Sequence, residues 1–232
     1  MSAPGASADL PDIRRPHAST LAGRSGGGAR QSGRRRRLAG VAGLAAVLMA
    51  AIQAAAPAAD LEAGRRKAEP CANCHGPDGN SSVPGTPSLA GQLAMYTHWQ
   101  LIKFRDGRRK DPQMSPFAQN LSDADMADLA AYYQAQRPRP RSMATDAAKV
   151  AAGQRLADLH HCTSCHRPGL TGQEQVPRLA GQDYDYLLRL LRGFKAQTAS
   201  DLDGTMTMAA QPLRDEEILS LVHFIASLRA EP

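Results

Sequence analysis

Apolar residues recur with a helical period in the later part of the chain. Leu187, Leu190, Leu191 and Phe194 fall at i, i+3, i+4 and i+7, and so do Ile218, Leu221, Val222 and Ile225, a spacing that lines one face of a helix. Met126, Leu129, Ala130 and Tyr133 form a third stripe behind "LSDAD", where Ser122 is the expected cap and Asp125 closes a capping box. Strand-like alternation is scarce, so the expected fold class is all-α. Pro138 and Pro140, inside "QRPRPRSM", forbid a continuous helix there.

The pattern is duplicated. Leu89-Ala90-Gly91-Gln92 returns as Leu179-Ala180-Gly181-Gln182, and Ala118-Gln119 with Leu121 returns as Ala210-Gln211 with Leu213. A repeated scaffold predicts repeated chemistry. The expected organisation is a leader at 1–59, a first domain at 60–137, a Pro-rich linker at 138–143 and a second domain at 144–232.

Each half opens on the same cluster. Cys71, Cys74 and His75 form one C-x-x-C-H run, and Cys162, Cys165 and His166 form the other. Two thiols at this spacing meet the two vinyl groups of one porphyrin while the adjoining imidazole reaches its iron, which is the attachment signature of c-type haem. A four-thiolate zinc site would not call for a histidine behind both pairs, and a thioredoxin-like dithiol would call for alternating strands and helices. The expected cofactors are two covalently attached c-type haems, each with its iron. The four cysteines are all used by them.

The second axial face of the iron decides the chemistry. An open face binds gas or peroxide, whereas a methionine closes it and favours the ferrous state. Met114 precedes "SPFAQNL" and Met206 precedes "TMAAQPL", in register through the repeat, so the expected metal ligands are His75, Met114, His166 and Met206. Met208 competes in the same loop but aligns with Pro116. Met95, Met126 and Met143 read as flexible core fillers. His160 and His161 are expected at the end of the first helix of the second half, His98 and His223 as surface or packed residues, and Tyr96 and Trp99 in a helix facing the first haem edge.

Charge and composition narrow the class further. The chain has 42% hydrophobic and 4% aromatic residues, suiting small helical units that borrow apolar surface from a porphyrin. The formal charge of +6 resides in residues 1–59, with eight arginines against Asp9 and Asp12, and the remainder carries 20 basic and 20 acidic residues. Nucleic-acid binding therefore has no support. The front reads as an export signal: "RRRR" at 34–37, an apolar run at 38–52, then "QAAAPAAD", with cleavage expected near Ala58. The expected location is the periplasm. The alternative is an uncleaved anchor, which is the one reading that brings membrane contact.

Two C-x-x-C-H runs, "GPDGNS", two "LAGQ" strings, "FRDGRR" and methionines ahead of "LSDAD" together resemble the dihaem cytochrome c4 family, over about residue 60 to the end. The resemblance implies two tandem class I cytochrome c domains and transfer of single electrons between respiratory partners. Those partners would be a terminal oxidase, a quinol-oxidising complex or a dehydrogenase. It also implies that the carbonyls of Pro87 and Pro177 accept a hydrogen bond from the axial imidazoles, fixing each ring and making it more basic. "HRPGLTGQEQ" and "KAQTASDLDGT" depart from the pattern of the first half. The protein is expected to be a carrier and no enzyme. The rivals are the cytochrome subunit of a periplasmic dehydrogenase, a dihaem peroxidase, which needs one iron without a strong sixth ligand, and a haem-based gas sensor.

Overall fold

The computed structural model describes residues 58–141, 143–199 and 201–229; the leader and its apolar run lie outside them. The described part of the first half holds α1 (Leu61–Lys67), α2 (Ala72–His75), α3 (Ala94–Arg105), α4 (Met114–Ala118) and α5 (Asp123–Ala135). The second half repeats this order as α6 (Ala147–Leu159), α7 (Cys162–His166), α8 (Tyr184–Lys195), α9 (Thr205–Ala210) and α10 (Asp215–Ser227). Among the described residues the only β-pairing is an isolated bridge between Gln173 and Val176.

Local chemistry starts and stops these helices. Asp60 caps α1 by accepting from the Glu62 and Ala63 amides, and Asp146 caps α6 in the same way. Ser122 and Asp125 make the reciprocal capping box of α5. Helix α5 ends at Ala135 and, among the described residues, no helix resumes before Ala147, as the two prolines require.

In each half the first helix crosses the last, and a glycine sits at the crossing. A Cβ on Gly64 would stand 2.2 Å from the carbonyl oxygen of Asp128, and one on Gly153 would stand 2.0 Å from that of Ser220. The absent side chain lets two backbones meet without the usual spacing of packed helices. Round the first crossing, Lys67 of α1 pairs with Asp125 at 2.7 Å and Asp128 at 2.6 Å, while Asp128 also accepts the Asp60 amide. The second crossing is aliphatic: Ile218, Leu221, Val222 and Ile225 are all buried, with Ala157 from α6.

The α5 stripe is buried throughout. The α8 stripe is not: Leu187 is buried, whereas Leu190, Leu191 and Phe194 are half-covered. Met126 is buried and Met143 packs against the second core, but Met95 is 48% exposed and is no core filler. It is the second residue of α3, two positions before buried Thr97 and so on a different face of the helix from it.

Two predictions follow from the crossings. Gly153→Ala should lower unfolding stability by about 2 kcal/mol through overpacking, measured as a fall in the urea midpoint of the holoprotein. The hydrogen bonds of Asp125 to Lys67 and Ser122 hold its carboxyl down at about 2. A depressed carboxylate stabilises above its unfolded pKa of about 4 and loses that contribution as pH falls through the folded value. The stability gap between wild type and Lys67→Met should therefore be full above pH 4 and narrow towards pH 2.

Candidate haem-binding sites

Each C-x-x-C-H run forms a short helix directly after the crossing helix, so the glycine contact sets where the cysteines stand. Cys74 and Cys165 are exposed and Cys71 and Cys162 half-buried, and none of the four is in a disulfide. His75 and His166 end their helices and are each 5% exposed. The Nδ1 of His75 lies 2.9 Å from the Pro87 carbonyl oxygen, and that of His166 lies 2.9 Å from the Pro177 carbonyl oxygen. With a carbonyl as partner, Nδ1 carries the proton and donates, and Nε2 keeps the lone pair that could bind a metal. Burial pushes both imidazoles down, the carbonyl bond acting the other way, which favours the neutral ring.

The loops between histidine and proline are built differently. In the first half Gly76 and Gly79 take φ of 80° and 79°, Gly79 accepts the Leu89 and Ala90 amides, and the Ser81 hydroxyl donates to the Cys74 carbonyl at 2.8 Å. In the second, Arg167 and Leu170 hold the corresponding positive φ of 65° and 56°, Leu170 accepts the Leu179 and Ala180 amides, and Gln173 takes the role of Ser81 at the Cys165 carbonyl, 3.0 Å away. Arg167, with ψ of 162°, occupies a region nearly reserved for glycine, which stores strain.

Met114 is the first residue of α4 and Met206 the second of α9. Both are half-buried, and an aspartate anchors the backbone amide of each: Asp111 to Met114 at 2.9 Å and Asp201 to Met206. Met208 is 68% exposed. Neutral imidazole nitrogen, thioether sulfur and paired thiols are the donor chemistry of a covalent low-spin haem. The residues fit the group.

A family model described as "Cytochrome c" matches residues 150–229, and one described as "Cytochrome C oxidase, cbb3-type, subunit III" matches residues 58–132. Cytochrome c4 of Thiocapsa roseopersicina is 40% identical over 189 residues, covering 76% of this chain and 97% of that protein. The chain belongs to the cytochrome c4 family. The crystal structure of reduced recombinant cytochrome c4 from Pseudomonas stutzeri superposes with a TM-score of 0.69 at 32% identity, over 74% of this chain and all of that one. A "thiosulfate dehydrogenase electron acceptor" of Stutzerimonas stutzeri is 34% identical, over 68% of this chain and 78% of that protein. The fold is therefore two tandem class I cytochrome c domains, the cofactors are covalently attached c-type haems, and the protein is an electron carrier and no enzyme.

Several residues that matter to this cytochrome c4 homologue carried little sequence signal. Gln92 and Gln182 were visible only as repeated letters, yet each is buried and bonded across to the other half. Buried Arg178 donates to the carbonyls of Gly91, Ala90 and Ala180, and burial pulls its guanidinium down to about 10, still a cation at neutral pH. Tyr96 faces the other half of the chain: it is bonded with Tyr186, and burial pushes its hydroxyl up. Arg109 stacks 4.5 Å over the Phe104 ring and donates to the Tyr186 hydroxyl at 3.2 Å. His223 packs edge-on against Tyr184, and His160 closes α6.

Replacing Arg167 by glycine should relieve the strain and raise unfolding stability by about 1 kcal/mol. The check is thermal unfolding of the holoprotein, with the visible spectrum unchanged.

Proposed function

We propose that the protein carries single electrons in the periplasm between respiratory partners, through haems ligated by His75 with Met114 and His166 with Met206. The observation that carries the reading is the repeated placement of the two methionines. Each stands at the first or second position of a short helix, four residues before a buried alanine, Ala118 or Ala210, with its amide tethered by an aspartate. The exposure of Met208 supports Met206 as the ligand. A methionine on both irons leaves no open face for peroxide, so the peroxidase reading loses its requirement. Fixed ligation also lets each iron change oxidation state with little rearrangement.

The division at 60–137, 138–143 and 144–232 belongs to this proposal, each domain serving one haem. So does export by the leader with cleavage near Ala58. No helix among the described residues is long and apolar enough to cross a membrane. A terminal oxidase, a quinol-oxidising complex and a dehydrogenase are the partner classes. The likeness to thiosulfate dehydrogenase electron acceptors favours a second reading, in which a periplasmic dehydrogenase supplies the electrons.

An optical spectrum of the oxidised protein, with haem quantified alongside, tests the ligation. Two haems and a weak far-red sulfur-to-iron band are expected. Met206→Ala should halve that band and Met208→Ala should leave it intact; the reverse result would reassign the ligand. Met114→His should lower the potential of the first haem alone, and an unchanged redox titration would remove Met114 from the iron.

A further inference from the structure

The two "LAGQ" glutamines grip each other's halves in a reciprocal pattern. Gln182 Oε1 accepts the Ser88 amide at 2.7 Å and its Nε2 donates to the Ser88 carbonyl at 2.9 Å. Gln92 Oε1 accepts the Arg178 amide at 2.9 Å and its Nε2 donates to the Arg178 carbonyl at 3.0 Å. Both side chains are buried, 3% and 4% exposed, and the orientation of each amide follows from its partners, since an N–H must face the carbonyl and an oxygen the amide.

The gripped residues are those that follow Pro87 and Pro177. The peptide unit joining Pro87 to Ser88 is thus bonded at both ends: its oxygen faces the His75 Nδ1 and its N–H donates to Gln182. The unit joining Pro177 to Arg178 is bonded likewise to His166 and Gln92. Hydrogen bonds at the two ends of one peptide polarise it in the same sense, so each strengthens the other. A more negative carbonyl oxygen holds the Nδ1 proton more tightly and makes the imidazole a stronger electron donor.

We propose that Gln182 and Gln92 are positioning residues that set the basicity of the axial histidine in the opposite half, so that each haem's potential is tuned by the glutamine of the other. The proposal rests on His75 and His166 as axial ligands. A stronger proximal donor favours ferric iron, so loss of the grip raises the potential of the crossed haem. Loosening the interface and admitting water would stabilise the ferric charge and lower it, so the sign separates polarisation from packing.

The experiment is a redox titration of the holoprotein followed through the NMR resonances of each haem, for Gln182→Met and Gln92→Met. At a fixed poise, Gln182→Met should raise the reduced-to-oxidised ratio of the Cys71/Cys74 haem about threefold and leave the other unmoved. Gln92→Met should do the converse. In the reduced protein the His75 Nδ1 proton should exchange with solvent several-fold faster in Gln182→Met, and Gln182→Glu, whose protonated acid keeps both the acceptor oxygen and a donor for the Ser88 carbonyl, should restore slow exchange at a pH low enough to hold that acid protonated. Unchanged ratios, a fall, or equal shifts at both haems would overturn the proposal. Should one variant fail to fold, the other and the exchange rates decide. A wild-type spectrum lacking low-spin methionine-ligated haem would instead overturn the ligation itself, a separate result.

Discussion

Two helices that approach closely enough for backbone to meet backbone are the constraint on which each half depends. Gly64 and Gly153 allow it. Between each C-x-x-C-H turn and the next long helix, α3 or α8, runs a stretch with little regular structure, which cannot fix its own geometry. Each is fixed at its ends: the C-x-x-C-H turn follows the first crossing helix directly, and the "LAGQ" turn bonds to the last one, Gly91 to the Tyr133 carbonyl and Gly181 to the Ile225 carbonyl. The proline carbonyl facing each histidine lies just ahead of that turn. The crossing thereby sets the distance between an imidazole and its carbonyl from two sides.

The halves reach the same geometry with different means. The first surrounds its crossing with Lys67, Asp125 and Asp128 and has a small apolar core about Leu129, Tyr132 and Tyr133. The second relies on a larger aliphatic cluster and accepts backbone strain at Arg167 and Leu170 where the first uses glycine. The first half also takes up the linker: Asn80 of "GPDGNS" bonds both the Arg139 amide and the Arg137 carbonyl, and Pro138 packs at Gly91. Duplication kept the contacts that orient the histidines and let the rest diverge.

Much of this was legible in the chain. The two C-x-x-C-H runs stand out because covalent attachment demands fixed spacing, the capping box of α5 because two residues three positions apart suffice to make it, and the Ile218 stripe because protein alone buries it. The α8 stripe was legible as a helix and misleading as to burial: Leu191 and Phe194 pack on the second core yet stay half-covered, as does Leu190. The crossing glycines were not legible: a lone glycine in a helix looks like a weakness until its partner helix is known. Gln92 and Gln182 were not legible either, because the contact joins residues about ninety positions apart through backbone atoms, which leave no pattern in side-chain type.

The contact between halves is polar, and that choice has a physical consequence. An apolar interface of the same size would hold two domains together while tolerating small slips, because dispersion is non-directional. Buried amides that each meet a specific N–H and carbonyl tolerate none without leaving a polar group unpaired. Asp183 adds to the constraint by capping α8, accepting the Gly85 amide and pairing with Arg141 at 3.0 Å. Electron transfer between two haems depends steeply on their separation and on the energy of reorganising what surrounds them. An interface locked by directional bonds, anchored one residue from the prolines that face His75 and His166, keeps the two halves in fixed register and so suits that requirement.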